Sequence, residues 1–116
     1  MKKFLFVTMI ALALAACAPS TSTEDSIIVG LECDYAPFNW TQLEETETSV
    51  RIEGNIGYCD GYDITVAKTI ASELDKTLIV KQIGWEGLEP ALASGEIDMI
   101  VAGMTDTEER RQRVAF

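Results

Sequence analysis

The stretch from Asp63 to Ile83, DITVAKTIASELDKTLIVKQI, decides how the chain folds. Ile64, Ala67, Ile70, Ala71 and Leu74 recur at three- and four-residue steps, which gives an α-helix one apolar face turned inward. Asp63 stands just ahead of them, where a carboxylate can accept from the free amides of a first turn, so the spacing predicts Asp63 as the N-cap. The pattern then changes period. Leu78-Ile79-Val80-Lys81-Gln82-Ile83 is a short run with β-branched bias and reads as a buried strand.

Outward from this unit the alternation repeats. Upstream, Ile27-Ile28-Val29-Gly30-Leu31 is a first buried strand. Downstream, a helix is expected from about Glu86 to Ser94, with Leu88 and Leu92 inward, Pro90 near its first turn and Gly95 ending it. Ile97 to Ala102 is a third strand, Thr107 caps a last helix through Glu108, Arg110 and Arg113, and Val114-Ala115-Phe116 starts a further strand. Strand and helix in strict alternation is the signature of a parallel α/β sheet with right-handed crossovers. Between Tyr35 and Cys59 the chain is irregular, with Val50-Arg51-Ile52 expected to pair with Ile56-Gly57-Tyr58 across Glu53-Gly54-Asn55.

Ahead of the folded part lies a different kind of sequence. Lys2 and Lys3 precede an apolar stretch, Phe4 to Ala16, broken only by Thr8, as in a secretory signal. Leu14-Ala15-Ala16-Cys17 resembles the bacterial lipobox, which implies a signal peptide over 1–16 and a diacylglycerol on Cys17. Acyl chains contribute about 0.8 kcal/mol per buried methylene, so a multiply acylated cysteine holds firmly. Residues 17–25 are small, polar and acidic and read as a flexible tether, leaving 26–116 for one small core. Export is therefore expected, with anchoring on the outer face of a cell membrane. A Gram-positive type of envelope is the better fit, or the periplasmic side in a Gram-negative cell.

Charge and composition remove several functions. Of 9 basic residues the signal takes Lys2 and Lys3, so 7 remain against 19 acidic ones, a formal charge of −12. Nucleic acid and anionic lipid are poor partners for such a surface. The chain has no histidine, so neither a Ser-His-Asp nor a Cys-His nucleophilic site can be assembled from it, and the commonest metal ligand is missing. No metal, cofactor or catalytic residue is expected. Cys33 and Cys59 either oxidise outside the cytoplasm to a disulfide or remain two buried thiols.

In open parallel sheets ligands bind beyond the carboxyl ends of the strands. Glu32, Asp34, Tyr35, Pro37 and Phe38 follow the first strand, and Trp85 follows the second. Gly103, Met104, Thr105 and, one turn on, Arg110 follow the third. Arg110 can grip a carboxylate with two parallel hydrogen bonds, beside the amides of the helix that Thr107 starts, or spend its charge on a neighbouring glutamate. Tyr35 and Trp85 either stack on a ligand or fill the core. Glu32 either meets a cationic or amide group or faces water. Asp98 reads as structural.

Four blocks at these loops carry a family resemblance. They are Tyr35-Ala36-Pro37-Phe38, Gly61-Tyr62-Asp63, Trp85 to Leu92 with Ser94-Gly95-Glu96-Ile97-Asp98, and Ala102 to Arg110. In this order, behind a lipobox, the chain resembles the bacterial extracytoplasmic solute-binding proteins of family 3, receptors of polar amino-acid ABC importers. The resemblance covers Ile27 to Phe116 and implies one lobe of the periplasmic-binding-protein type II fold, mostly parallel sheet with flanking helices. It implies Arg110 on the ligand α-carboxylate, with Thr105 assisting through hydroxyl and amide and Gly103 through backbone. Tyr35 and Trp85 would sandwich the ligand side chain, and Glu32 would contact its distal end.

Some features depart from the family. Many relatives carry hydroxyl residues where this chain has Ala102 and Gly103, Asp106 brings a negative charge near a carboxylate site, and the acidic insert from Thr41 to Glu53 is typical of only some members. The family's second lobe, which supplies the acid for the α-ammonium, does not follow Phe116, so a truncated N-terminal lobe presenting half a site is expected. The implied function is a non-enzymatic, monomeric importer subunit that captures a polar amino acid, cationic or amide-bearing, and delivers it to a membrane permease. Its partners are the free amino acid, the permease and, through the lipid, the membrane. An exported arogenate or prephenate dehydratase-type enzyme and an extracellular sensor domain are the alternatives on the same fold.

Overall fold

The first apolar run becomes β1 (Ser26–Leu31), and it is central because both of its neighbours are parallel strands. In the computed structural model, which describes residues 25–116, β6 (Thr77–Gln82) pairs with β1 from Ser26↔Thr77 to Leu31↔Gln82. On the other side β7 (Met99–Ile100) pairs through Val29↔Met99 and Gly30↔Ile100. The signal sequence, Cys17 and the tether up to residue 24 lie outside the described residues.

β7 is shorter than the run Ile97 to Ala102. At its start the Asp98 carboxylate accepts the Ile28 N–H at 2.8 Å while the Asp98 N–H donates to the Ile28 carbonyl at 2.8 Å, so a side chain takes over the ladder. That is the structural role expected of Asp98.

Helix α1 (Tyr62–Glu73) precedes β6, and α2 (Trp85–Ser94) joins β6 to β7. Ile64, Ala67, Ala71 and Leu88 are buried, as their spacing requires. Two expectations for α1 fail. Its N-cap is Gly61, at φ 121°, and Asp63 lies inside the first turn, buried, accepting from Asn39 Nδ2 at 2.8 Å. A β-carbon on Gly61 would stand 2.5 Å from the Phe38 carbonyl oxygen, so close backbone approach, not side-chain capping, sets the entry to this helix. Leu74 is 53% exposed, because the helix ends at Glu73 and the chain turns out through Asp75 at φ 53°. In α2, Pro90 occupies the sixth position, beyond the first turn, and Gly95 closes the helix in the left-handed region.

The region expected to be irregular holds a second, antiparallel sheet, ordered β2-β3-β5-β4. Its strands are β2 (Asp34–Tyr35), β3 (Asn39–Gln42), β4 (Val50–Arg51) and β5 (Tyr58–Asp60). The predicted hairpin forms with a different register, Val50↔Cys59 and Arg51↔Tyr58, and Ile56 is left 78% exposed. Ile52 explains the shift. It leaves β4 to bridge Val80 of β6, and the Glu53 N–H donates to the Val80 carbonyl at 2.8 Å, so its side chain enters the common core. Cys33 and Cys59 are disulfide-bonded and buried, joining the end of β1 to β5. No strand forms over Val114 to Phe116; the Val114 N–H instead donates to the Arg110 carbonyl at 2.9 Å.

Candidate functional site

The loops at the carboxyl ends of the parallel strands converge on Trp85. Glu32, just past β1, accepts the Trp85 N–H with Oε1 at 3.1 Å, so it anchors the start of α2 as well as lying at the rim. Gln82 Nε2 donates to the Glu32 carbonyl at 3.0 Å and fixes the same loop from the β6 side. Glu32 and Asp34 also line a cleft of about 590 Å³ with Trp40, Thr41 and Gln82.

Arg110 sits on α3 (Glu108–Arg111), a single turn capped by Thr107, whose hydroxyl accepts the Arg110 N–H at 3.2 Å. Its guanidinium carbon lies 5.4 Å from the centre of the Trp85 ring, a cation–π arrangement. Nη1 donates to the Thr105 carbonyl at 2.8 Å, and Nε stands 3.8 Å from Glu89 Oε1. A one-turn helix offers little dipole, so the corner depends on the guanidinium itself. Asp106 does not compete for it, because both of its oxygens accept from Arg111. That pair raises the Arg111 pKa still further from neutrality.

Tyr35 is half exposed and stacks on Phe38, ring centres 5.1 Å apart. Gly103 (φ 61°) faces that ring, since a β-carbon there would reach Tyr35 Cε1 at 3.6 Å. The rim residues Glu32, Trp85, Thr105 and Arg110 are thus directly linked, with Tyr35 and Gly103 forming a second contact beside them.

Two participants were not singled out from the sequence. Glu89 accepts from Arg113 Nε at 2.6 Å and from Arg113 Nη2 at 3.4 Å. Arg113 also donates through Nη1 to Glu109 at 3.1 Å. The Arg113 bond, against a smaller burial penalty, holds the Glu89 carboxyl below its ordinary pKa, and Arg110 adds to that effect. The four-residue step from Trp85 to Glu89 was the available signal, since it places both on one face of α2.

The family profile described as bacterial extracellular solute-binding proteins, family 3, matches residues 27–116. The chain belongs to that family. It is 32% identical to the arginine-binding extracellular protein ArtP of Bacillus subtilis and 33% identical to a probable histidine-binding protein of Campylobacter jejuni. Both alignments cover all of this chain, but only 43% and 45% of those proteins. The chain therefore spans less than half the length of these relatives. Among solved structures, domain 1 of TmArgBP in its arginine-bound form is similar with TM-score 0.65 and 36% identity. That match covers 80% of this chain and 64% of the other. A putative ABC-transporter binding component from Wolinella succinogenes, complexed with lysine, matches with TM-score 0.66 and 30% identity over 79% of this chain and 34% of the other. These structures agree with the single α/β lobe described above.

Proposed function

We propose that this chain is the carboxylate-gripping lobe of a lipid-anchored receptor that captures a polar amino acid and delivers it to a membrane permease. The observation that carries the proposal is Arg110, held over Trp85 by the Thr105 carbonyl at the mouth of the parallel sheet. In this reading its guanidinium takes the ligand α-carboxylate, with Thr105 and Gly103 beside it. Trp85 and Tyr35 enclose the ligand side chain, and Glu32 with Asp34 makes the distal end acidic, which favours a cationic or amide-bearing amino acid. The arginine-bound and lysine-bound similar structures support that chemical class. The tether from Cys17 would keep the receptor near its permease at high effective concentration.

Thermal shift and calorimetric titration of the purified chain with arginine, lysine, histidine, glutamine, aspartate and leucine test the reading. The first four contain the expected ligand, and aspartate and leucine should leave the melting temperature unmoved. Arg110→Ala should weaken the best ligand by about 30-fold or more, the equivalent of losing roughly 2 kcal/mol of charge-assisted hydrogen bonding. Stabilisation by none of them at millimolar concentration would overturn the proposal. One similar structure, 31% identical, is an ancestral amino-acid-binding protein described as a precursor of cyclohexadienyl dehydratase. Prephenate is accordingly added as a substrate, and its turnover would replace the receptor reading with an enzymatic one.

A further inference from the structure

We infer that Arg113 is a positioning residue that keeps Arg110 free to take a carboxylate, occupying Glu89 so that Glu89 does not occupy Arg110. This rests on the carboxylate role of Arg110 proposed above. Glu89 and Trp85 share a face of α2, so the carboxylate projects beside the ring that Arg110 covers. Its oxygens are unequally divided between two cations. Arg113 holds Oε2 at 2.6 Å and approaches Oε1 at 3.4 Å, whereas Arg110 reaches Oε1 only as an ion pair at 3.8 Å. Among the described residues the Arg110 side chain makes one hydrogen bond, to Thr105, so its remaining donors stay available.

Two guanidiniums share the carboxylate of Glu89, while Glu109, the second partner of Arg113, is 81% exposed and well screened. Arg113 therefore supplies most of the countercharge at Glu89, and the Arg110 guanidinium is left less engaged by it. Without Arg113, both oxygens of Glu89 would be released beside Arg110. The long contact would shorten into a two-point pair, and Glu89 would act as an internal competitor for the ligand carboxylate. The Glu89 and Arg110 side chains are only 21% and 24% exposed, so water would not dissolve that pair as it does a surface one.

The test uses Arg113→Gln, Glu89→Gln and the double variant. Probes are L-arginine, L-glutamine and agmatine, which is arginine without its carboxylate. Arg113→Gln should weaken the amino acid that binds the wild type by about tenfold, within the range of coupling between neighbouring charges, and leave agmatine unchanged. Adding Glu89→Gln should restore binding to within about twofold of the wild type, because the competitor has lost its charge. A simple strap between α2 and α3 predicts the opposite, since the double variant lacks the strap and would bind as poorly as Arg113→Gln alone. That outcome overturns the inference. Solvent exchange of the Arg110 Nε–H, followed by NMR, needs no ligand: it should slow in Arg113→Gln and recover in the double variant. If the wild type binds no amino acid while this exchange behaves as stated, the receptor reading fails and the pairing scheme stands. Unchanged exchange in Arg113→Gln defeats the pairing scheme whatever binds.

Discussion

The parallel and antiparallel sheets meet at Ile52, yet different forces hold them. Around β1, β6 and β7 the contacts are apolar: Val29, Leu31, Ile64, Val80 and Leu88 are fully enclosed. The four-stranded sheet rests instead on the Cys33–Cys59 disulfide and a polar lattice. Thr46 and Thr48 hydroxyls donate to Asp60 Oδ2 at 2.8 and 3.0 Å, and Ser49 Oγ accepts the Thr46 N–H at 2.8 Å. Lys68, reaching over from α1, donates to the Glu47 and Thr48 carbonyls at 2.9 and 3.2 Å. An acidic insert that reads as irregular is therefore tied down by its own hydroxyls. Non-directional burial leaves a periodic trace in sequence, and directional polar bonding does not.

Breaking each side separately tests the contrast. Leu88→Ala should have the largest effect, about 3–5 kcal/mol, because it leaves a cavity against β1. Chemical denaturation should show that loss, and hydrogen exchange should accelerate in both sheets. Replacing Cys33 and Cys59 by serine should cost about 3.5 kcal/mol, the chain-entropy value for a closed loop of this size, the cysteines being 26 residues apart. Here exchange should accelerate in β2–β5 well before β1 and β6. Equal acceleration in both sheets would mean that they form one cooperative unit and that the distinction is false.

The smallest effect is a difference in pH slope between two neighbouring aspartates. Burial pushes the Asp60 carboxyl up, but the Thr46 hydroxyl, the Gly61 amide, Thr48 and Lys68 together outweigh it, leaving its pKa below the ordinary value. Asp60 thus stabilises the fold above the unfolded pKa, near 4, and that contribution disappears as pH falls through the lower folded value. Asp63 has the opposite sign: burial raises its pKa, and the single bond from Asn39 does not compensate. Its ionisation penalises the folded state, with no penalty below the unfolded pKa and an increasing one as pH rises through the folded value. Denaturation from pH 3 to 7 should show Asp63→Asn gaining on the wild type as pH rises, while Asp60→Asn falls behind it. Parallel slopes would contradict the assigned environments.

Much of the parallel half was legible. The helices over 62–73 and 85–94 and the strands beginning at Ser26 and Thr77 follow from apolar spacing and from changes of period. The rim was legible for a related reason: the loops after these strands carry Glu32, Trp85, Thr105 and Arg110, and the ends of parallel strands must converge. The misreadings share a cause. Asp63 has the right residue type for a cap, but Asn39, 24 residues earlier, claims its carboxylate. Ile52 has the right pattern for the hairpin, but Val80 offers a better-buried neighbour.

Periodicity along the chain determines the order of elements, their apolar faces and which loops share a rim, because those properties depend on residues within a turn or a strand of one another. Only the tertiary structure decides the pairing of charges. Glu89 faces Arg113 across 24 residues, Asp106 turns to Arg111, and Glu32 accepts from the backbone of Trp85. A long charged side chain can reach several partners, and a few ångströms in the placement of α3 against α2 select among them.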